Sequence, residues 1–469
     1  MKIDKLRKKH SKLTYKSVDY NLSDTNLTIS SHFTLSPDIN FHPQVTIHGV
    51  SQEQFDSLSS KELTTYAFHI GMAEIFSYWK TAAPEEIVIE AGHLSKKQLK
   101  FWHDLLIKGM GEYFYVNKID FTDKNFVKFS NLPQGKTSNF SSIDNTQDTH
   151  LNGTLIPLGG GKDSLVSLEL LKKNYNEPLS LFSLNPTQSI KKIIKLNPEL
   201  PFITATRLID PKLIELNQKG YLNGHTPFSS YLAFLSVFVA RIFKIKYIAI
   251  SNERSSNEES VIYKDHPVNH QYSKSYQLEK NFQKYASNLL PSPQPFYFSL
   301  LRPLYELQIA KIFSEEKTYF KVFKSCNKNQ KEDSWCCNCS KCLFAFIILY
   351  PFLDEKNMTD IFNINLLNNE SLWSTTKELL GYSHQKPLDC VGTHEENLVA
   401  LFMCYQKQSK DIKRLSKITK MFEKEILPHE DNLEKRSKVL LNSWNNEHSL
   451  PAQFDRIIKH VHQSTFKTK

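Results

Sequence analysis

The sequence predicts an α/β fold built on a doubly wound parallel sheet, with a further α/β segment before it and a helical region after it. Three observations carry this. A short apolar run, Leu155-Ile156-Pro157-Leu158, feeds three glycines and then a helical pattern from Asp163 through Leu171. From residue 154 to about 250, short apolar runs alternate with helical periods, as stacked strand–helix–strand units require. Beyond Pro303 the strand-like runs cease and helical periods dominate.

Residues 1–132 form the N-terminal α/β segment. Gln44–Ile47 and Glu86–Glu90 read as short strands, while Leu63–Trp79 and Lys96–Met110 repeat apolar residues at three and four, the helical spacing. Residues 133–150 are polar, rich in Ser, Thr, Asn, Asp and Gln, and without an apolar period, which reads as a linker. Residues 151–325 carry the parallel sheet, with strands expected at Thr154–Leu158, Leu179–Leu184, Pro201–Thr206 and Lys246–Ser251. Helices are expected between them at Asp163–Lys173, Ser189–Leu196 and Ser229–Phe243. In residues 326–469 a cysteine cluster opens the helical region, where Lys407–Leu427 reads as one charged helix that Pro428 ends. No internal repeat is visible.

The glycine turn is the most informative stretch. Glycines let a backbone approach an anion closely, and the unpaired N–H groups of the following helix point at it. Gly159, Gly160, Gly161, Lys162, Asp163 and Ser164 are therefore candidate phosphate-binding residues. A Walker-type loop needs Lys followed by Ser or Thr, and Asp163 follows Lys162 here. The run is similar instead to the SGGxDS pyrophosphate loop (PP-loop) of enzymes that split ATP into AMP and pyrophosphate, with Gly159 where those enzymes carry Ser. Lys162 would offset charge on the leaving pyrophosphate; Asp163 would cap the helix or help to hold Mg²⁺. Asn185, after the second strand, and Ser251-Asn252-Glu253-Arg254, after the fourth, fall at the same carboxyl edge, where ligands of such sheets sit.

Cys326, Cys336, Cys339 and Cys342 form a C-x9-C-x2-C-x2-C pattern, the donor set of a closed tetrahedral Zn²⁺ site, which is favoured over buried free thiols or an iron–sulfur cluster. Cys337 is out of register and a spare. Two polar stretches remain. Val268–Ser275 packs Asn269, His270, Gln271, Tyr272, Ser273 and Lys274 into one loop, suited to a polyanionic substrate. Gly392–Asn397 turns into a helix with Glu395 and Glu396 in its first turn, a pattern that helix capping also explains.

Composition narrows the class. Forty per cent hydrophobic and 12% aromatic residues in a 469-residue chain are ample for folded cores. The formal charge of +10 is partly concentrated in the two ends, Lys2–Lys9 and Lys459–Lys469. No basic, aromatic-interleaved stripe marks a nucleic-acid face, so no nucleic-acid partner is expected. The apolar runs Tyr231–Ala240 and Cys342–Leu353 are too short to span a bilayer and read as core helices. With seven cysteines and no apolar stretch after the basic start, a cytoplasmic protein is expected.

With these pieces in place the chain resembles a known family, the UDP-N-acetyl-alpha-D-muramoyl-L-alanyl-L-glutamate epimerases. The likeness rests on PLGGGKDSLVSLELL at 157–171, VNHQYSKS at 268–275, WCCNCSKCLFAFIILYPF at 335–352, FHIGMAEIFSYWK at 68–80 and GEYFYVN at 111–117. It implies a PP-loop enzyme of peptidoglycan precursor synthesis that inverts the terminal L-glutamate of a UDP-N-acetylmuramoyl dipeptide, using ATP and Mg²⁺. The chemistry is coherent. The glutamate nitrogen is acylated, so no Schiff base can form, and its α-hydrogen lies beside a carboxylate whose charge opposes deprotonation. Adenylating that carboxylate removes the charge, and an ordinary general base then suffices. The base is sought among His270, Lys274, Glu253 and Glu395; Asn252, Asn269, Gln271, Tyr272 and Ser273 are candidate substrate contacts. Paired cysteines, as in cofactor-free glutamate racemases, would point to Cys337 or Cys390, but adenylation removes the need for them. The N-terminal segment is expected to close over the substrate.

Two other readings compete. One is an ATP pyrophosphatase that modifies a tRNA base or its deazaguanine precursor, since the cysteine spacing is also similar to that of cyano-deazaguanine synthases. It predicts salt-steep binding to tRNA. The other is a non-catalytic nucleotide-binding module, suggested by Gly159 in place of Ser, which predicts ATP binding without turnover.

Overall fold

The structure is a computed structural model and describes residues 3–131, 150–329, 332–410 and 415–466. The linker expected at 133–150 lies, but for His150, outside the described residues.

Thirteen strands are present among them: β1 (Lys12–Ser23), β2 (Asn26–Leu35), β3 (Ile39–Phe41), β4 (Gln44–His48), β5 (Glu86–Ile89), β6 (Lys128–Asn131), β7 (Asn152–Pro157), β8 (Leu179–Leu184), β9 (Phe202–Leu208), β10 (Ile245–Ile250), β11 (Val261–Tyr263), β12 (His266–Val268) and β13 (Phe296–Ser299). Eleven of them join in one sheet of order β13-β10-β7-β8-β9-β4-β2-β1-β5-β6, with β3 beside β2. The run β13 to β9 is parallel throughout, and β1, β5 and β6 are parallel to one another. Antiparallel pairing is confined to β1–β2, β2–β3, β2–β4 and β4–β9 within this sheet. The result is a mixed α/β protein with a large, mostly parallel central sheet and a helical C-terminal region.

The parallel run is covered on both faces, and its residues say so. Leu155, Phe182, Ile248 and Tyr297 enter one core with the helices Ser60–Trp79 and Phe228–Ile242. Their neighbours Ile156, Leu181, Ala249 and Phe298 enter the other, with Lys162–Asn174, Glu306–Phe313 and Ser340–Leu349. Successive strand residues point to opposite faces, so apolar runs rather than alternation mark these strands. The first apolar run noted above lies within the buried helix Phe228–Ile242, and the second is buried helix as far as Leu349 and then turns at Tyr350 and Pro351. No helix among the described residues is long and apolar enough to cross a membrane.

Local signals set the helix starts. Ser59 with Glu62, and Ser95 with Gln98, form reciprocal capping boxes at Ser60–Trp79 and Lys96–Gly109. In the first of these helices a Cβ at Gly71 would lie 1.9 Å from Tyr15 Oη, so only glycine lets β1 approach so closely.

One finding extends the expected layout and one corrects it. The N-terminal strands continue the same sheet: β4 pairs β9 from Gln44↔Leu208 to Ile47↔Ala205 and joins them to the glycine-turn half. Lys407–Leu427 is not one helix. His394–Ser409 ends and Lys417–Glu425 begins anew, because the Gln408 side chain accepts from Ser416 N (3.0 Å) and from Thr419 Oγ1 (2.7 Å) and caps the second helix from outside. That tertiary contact overrides the periodicity.

Candidate active site

The order of the parallel run fixes where a ligand would sit. From β7 the chain builds β8 and β9 on one side, then returns to build β10 and β13 on the other. The switch point is therefore the crevice beyond the carboxyl ends of β7 and β10. The glycine turn follows β7, and Ser251–Arg254 follows β10.

Gly160 takes φ +81°, a left-handed turn that favours glycine, and Gly161 is the N-cap of Lys162–Asn174 with no side chain capping it. Asp163 thus sits inside the first turn and is not the cap. Space beside Gly159 is open, with nothing within 4 Å of a Cβ placed there. Lys162 is buried and ion-paired to both Asp163 and Glu306. Burial opposes its charge, but the two carboxylates more than offset this and hold it protonated. One ammonium cannot neutralise two acids, so burial and the Asp163 charge together raise Glu306 well above the usual carboxylate range. Ser164 Oγ donates to the Gly161 carbonyl at 3.1 Å. Asn185 is exposed and serves the sheet edge, its amide pairing both backbone groups of Arg207 at 2.9 and 3.3 Å.

The neighbouring cluster comes from four distant segments. Lys274 Nζ lies 3.2 Å from Cys390 Sγ, and His270 Nδ1 is ion-paired with Glu112, which sequence reasoning missed. His225 Nδ1 approaches the same carboxylate at 3.4 Å. Burial opposes protonation of His270, but its bonds to Cys390 and Glu112 win and lift it to about 9. Burial would raise the Cys390 thiol, yet Lys274, Lys341 and His270 pull it down to about 5. Glu253 is buried; burial raises it, with Lys274 opposing and Asp163 reinforcing the shift. Glu112, His225 and His270 are close enough to share an ion, but the Glu112–His270 pair is charge-balanced without one and Lys274 stands beside it.

Arg302, also missed, holds this floor together. It is fully buried; Nη1 donates to the Glu253 carbonyl (2.6 Å) and Ser256 Oγ (2.8 Å), and Nη2 to the Lys274 carbonyl (2.6 Å) and Glu279 (3.1 Å).

The remaining candidates divide. Asn269 braces the loop, donating to the Ser256 carbonyl (2.9 Å) and accepting from Gln271 N (2.7 Å). Gln271 is 6% exposed, and its Oε1 makes no hydrogen bond among the described residues. Tyr272 is buried beside Lys108, and burial pushes its phenol up to about 12. Asn252 and Ser273 line a largely apolar, water-sized cavity with Phe101, Ala233, Phe282 and Tyr297. Glu395 does not join the cluster: it pairs with Arg436 at the surface. Its neighbour Glu396, about 100° round the helix, is buried and accepts from Ser255 Oγ (2.5 Å) and Thr393 N (2.8 Å).

The sulfurs of Cys326, Cys336, Cys339 and Cys342 lie within 4.8 Å of one another, close enough to bind one ion, and none is in a disulfide. Backbone N–H groups of Asn329, Asn338 and Cys342 approach three of them at 3.4–3.5 Å. The Cys342 thiol, its backbone N–H and the thiols of Cys336 and Cys326 hold Cys339 at about 5 against the opposing effect of burial. Cys337 turns away to the Phe362 carbonyl, as its register implied. The cluster abuts the glycine turn, since Lys324 N donates to the Gly160 carbonyl at 2.9 Å. Asp389 bonds Asn327 (2.7 Å) and Ser340 (2.5 Å), linking it to the segment bearing Cys390.

Comparison with known proteins shows the family. The MurL N-terminal domain model matches residues 5–300, and the MurL C-terminal domain model residues 322–437. Over 329 residues, 69% of this chain and 70% of the relative, the chain is 36% identical to the UDP-N-acetyl-alpha-D-muramoyl-L-alanyl-L-glutamate epimerase of Salinispora tropica. Identity to the protein of the same name from Micromonospora sp. is 34% over 71% of this chain and 74% of that one. The Xanthomonas oryzae pv. oryzae protein, again of that name, is 29% identical over 81% of this chain and 83% of its own. No solved structure matches the chain.

Proposed function

The chain belongs to the MurL family and is an epimerase, and from that premise we propose that it inverts the glutamyl α-carbon of UDP-N-acetyl-alpha-D-muramoyl-L-alanyl-L-glutamate after adenylating the adjacent carboxylate with ATP. The observation that carries this reading is the convergence, at one switch point, of an uncapped glycine turn and a cluster of titratable side chains. We read the turn as a pyrophosphate loop. Gly159, Gly160 and the first-turn N–H groups would bind phosphate, and ATP would supply the adenylyl group.

Asp163, Glu253 and Glu306 are three carboxyl groups crowded beside Lys162 and Lys274, and burial with mutual repulsion raises Glu253 and Glu306 rather than letting all three ionise together. That crowding suits Mg²⁺, which Asp163 and Glu253 would hold and which would screen the triphosphate. The four-cysteine site would take Zn²⁺ as a structural ion; its thiolates leave no open position for substrate. Lys274 and His270 remain cationic near neutral pH, and they would orient the glutamyl and phosphate groups. Gln271 offers its unused carbonyl oxygen to a ligand N–H.

The test is incubation of the full chain with ATP, Mg²⁺ and the L-alanyl-L-glutamate precursor in deuterated water. Deuterium at an inverted α-carbon, with one AMP and one pyrophosphate formed, is the expected outcome. Inversion without ATP would remove the adenylation step, and absence of inversion would remove the function.

A further inference from the structure

The titratable cluster contains one nucleophile that the proposed reaction leaves without a role. Cys390 lies outside the four-sulfur site, is in no disulfide, and is only half-buried. Its sulfur faces Lys274 Nζ at 3.2 Å, and His270, fixed by Glu112, is close enough to interact with it as well. Lys341 adds a third cation, and the nearby acids are Glu112, Glu253 and Asp163. The Glu112–His270 pair is balanced within itself, so the cation that faces the sulfur directly is the Lys274 ammonium, and an anionic sulfur pairs with it where a neutral thiol would not. A merely structural cysteine needs no such surroundings: Cys404, fully buried on an apolar helix face, has its thiol raised by burial.

Adenylation removes the need for a pair of cysteines but not for a base, and building on that reading we propose that Cys390 alone is the catalytic base that takes the α-proton of the activated glutamyl residue, with Lys274 and the Glu112–His270 pair as its positioning residues. The sulfur lone pair forms the S–H bond as the Cα–H bond breaks. The C–H electron pair moves into the acyl group as an enolate, whose charge the adjoining ammonium and imidazolium offset. A solvent-derived proton returning to the opposite face completes the inversion, the thiol releases its proton to water to regenerate the anion, and a water then attacks the acyl carbon and expels AMP to free the carboxylate.

The full chain carrying Cys390→Ser or Cys390→Ala tests this. With substrate, ATP and Mg²⁺, both variants should still exchange labelled pyrophosphate into ATP, while deuterium uptake and inversion fall by about 100-fold or more, the usual range for loss of a general base. Serine fills nearly the same space, so its failure separates ionisation from packing. Deuterium uptake by Cys390→Ser within about threefold of wild type would overturn the assignment. So would joint loss of pyrophosphate exchange, which would tie Cys390 to nucleotide chemistry or site assembly.

A second readout does not depend on turnover. Iodoacetamide labelling of Cys390 in the wild-type protein, followed by peptide mapping, should proceed at a rate nearly flat from about pH 6.5 to 8.5; an ordinary thiol gains roughly tenfold per unit below its pKa. A tenfold rise per unit at Cys390 would overturn the anionic state. The two readings fail separately. Wild-type inversion without ATP removes adenylation and leaves Cys390 judged by its variants. ATP-dependent inversion by Cys390→Ser removes Cys390 and leaves the function intact.

Discussion

Replacing Arg302 with methionine tests the floor of the candidate site most directly. The guanidinium is fully buried and donates to two main-chain carbonyls, two serine hydroxyls and the Glu279 carboxylate. Methionine fills most of the volume and removes every donor. Glu279, itself buried, keeps only the bond from Ser299 N at 3.2 Å. Removing one partner of a buried ion pair costs about 3–5 kcal/mol. The unpaired carbonyls of Glu253 and Lys274 would each add about 1 kcal/mol were water wholly excluded. These terms are not additive, so a loss of roughly 4 kcal/mol is expected, a factor of about 10³ in the folding equilibrium. Urea titration followed by circular dichroism reads it as a shift in midpoint at unchanged slope. Adding Glu279→Gln to Arg302→Met should restore about half of the loss, because the stranded charge is then gone. An Arg302→Met protein within about 1 kcal/mol of wild type would refute the reasoning, since the buried pair would then contribute almost nothing.

Three further outcomes follow. Asp163→Ala should lower pyrophosphate release at least about 100-fold while leaving the dichroism spectrum unchanged, because Lys162 then keeps a one-to-one pair with Glu306; retained turnover would mean the turn is misread. His69 donates from Nδ1 to the Thr65 carbonyl and accepts at Nε2 from Tyr285, and burial lowers it to about 4 from its usual 6.5. Its folded pKa is depressed, so its stabilising share is full above pH 6.5 and is lost as pH falls from 6.5 towards 4, about 1.4 kcal/mol per unit; His69→Gln should flatten the pH dependence of urea midpoints across that window, and an unchanged slope would count against it. Elemental analysis should find one zinc per chain, and stripping it at neutral pH should lower both the melting temperature and the affinity for ATP, because the cysteine segment braces Gly160 through Lys324; a metal-free protein of unchanged stability would exclude a structural ion.

What was legible in the sequence was whatever is local. The glycine turn, the four cysteines and the strands Leu179–Leu184 and Ile245–Ile250 announce themselves within a few residues, because close spacing alone imposes their geometry. The hairpin of β1 and β2 escaped notice: Leu27, Ile29, Phe33 and Leu35 alternate correctly, but Ser31 occupies the buried position between them and dilutes the pattern. The site's other half was illegible for a different reason. Glu112 meets His270 across 158 residues and Lys274 meets Cys390 across 116, and nothing beside either partner signals the other. Arg302 and Glu306 look like ordinary helix-flanking charges until the fold buries them.

The seam between β4 and β9 constrains how this protein can move. Four residue pairs of main-chain ladder cross it, and Arg207 clamps Glu74 over its end through Nε (2.7 Å) and Nη2 (2.5 Å). Parting the two halves would unzip that ladder and strand an ion pair between side chains only 12% and 4% exposed. The N-terminal half is thus tied into the sheet that carries the glycine turn, and any hinge between the two would have to break these bonds.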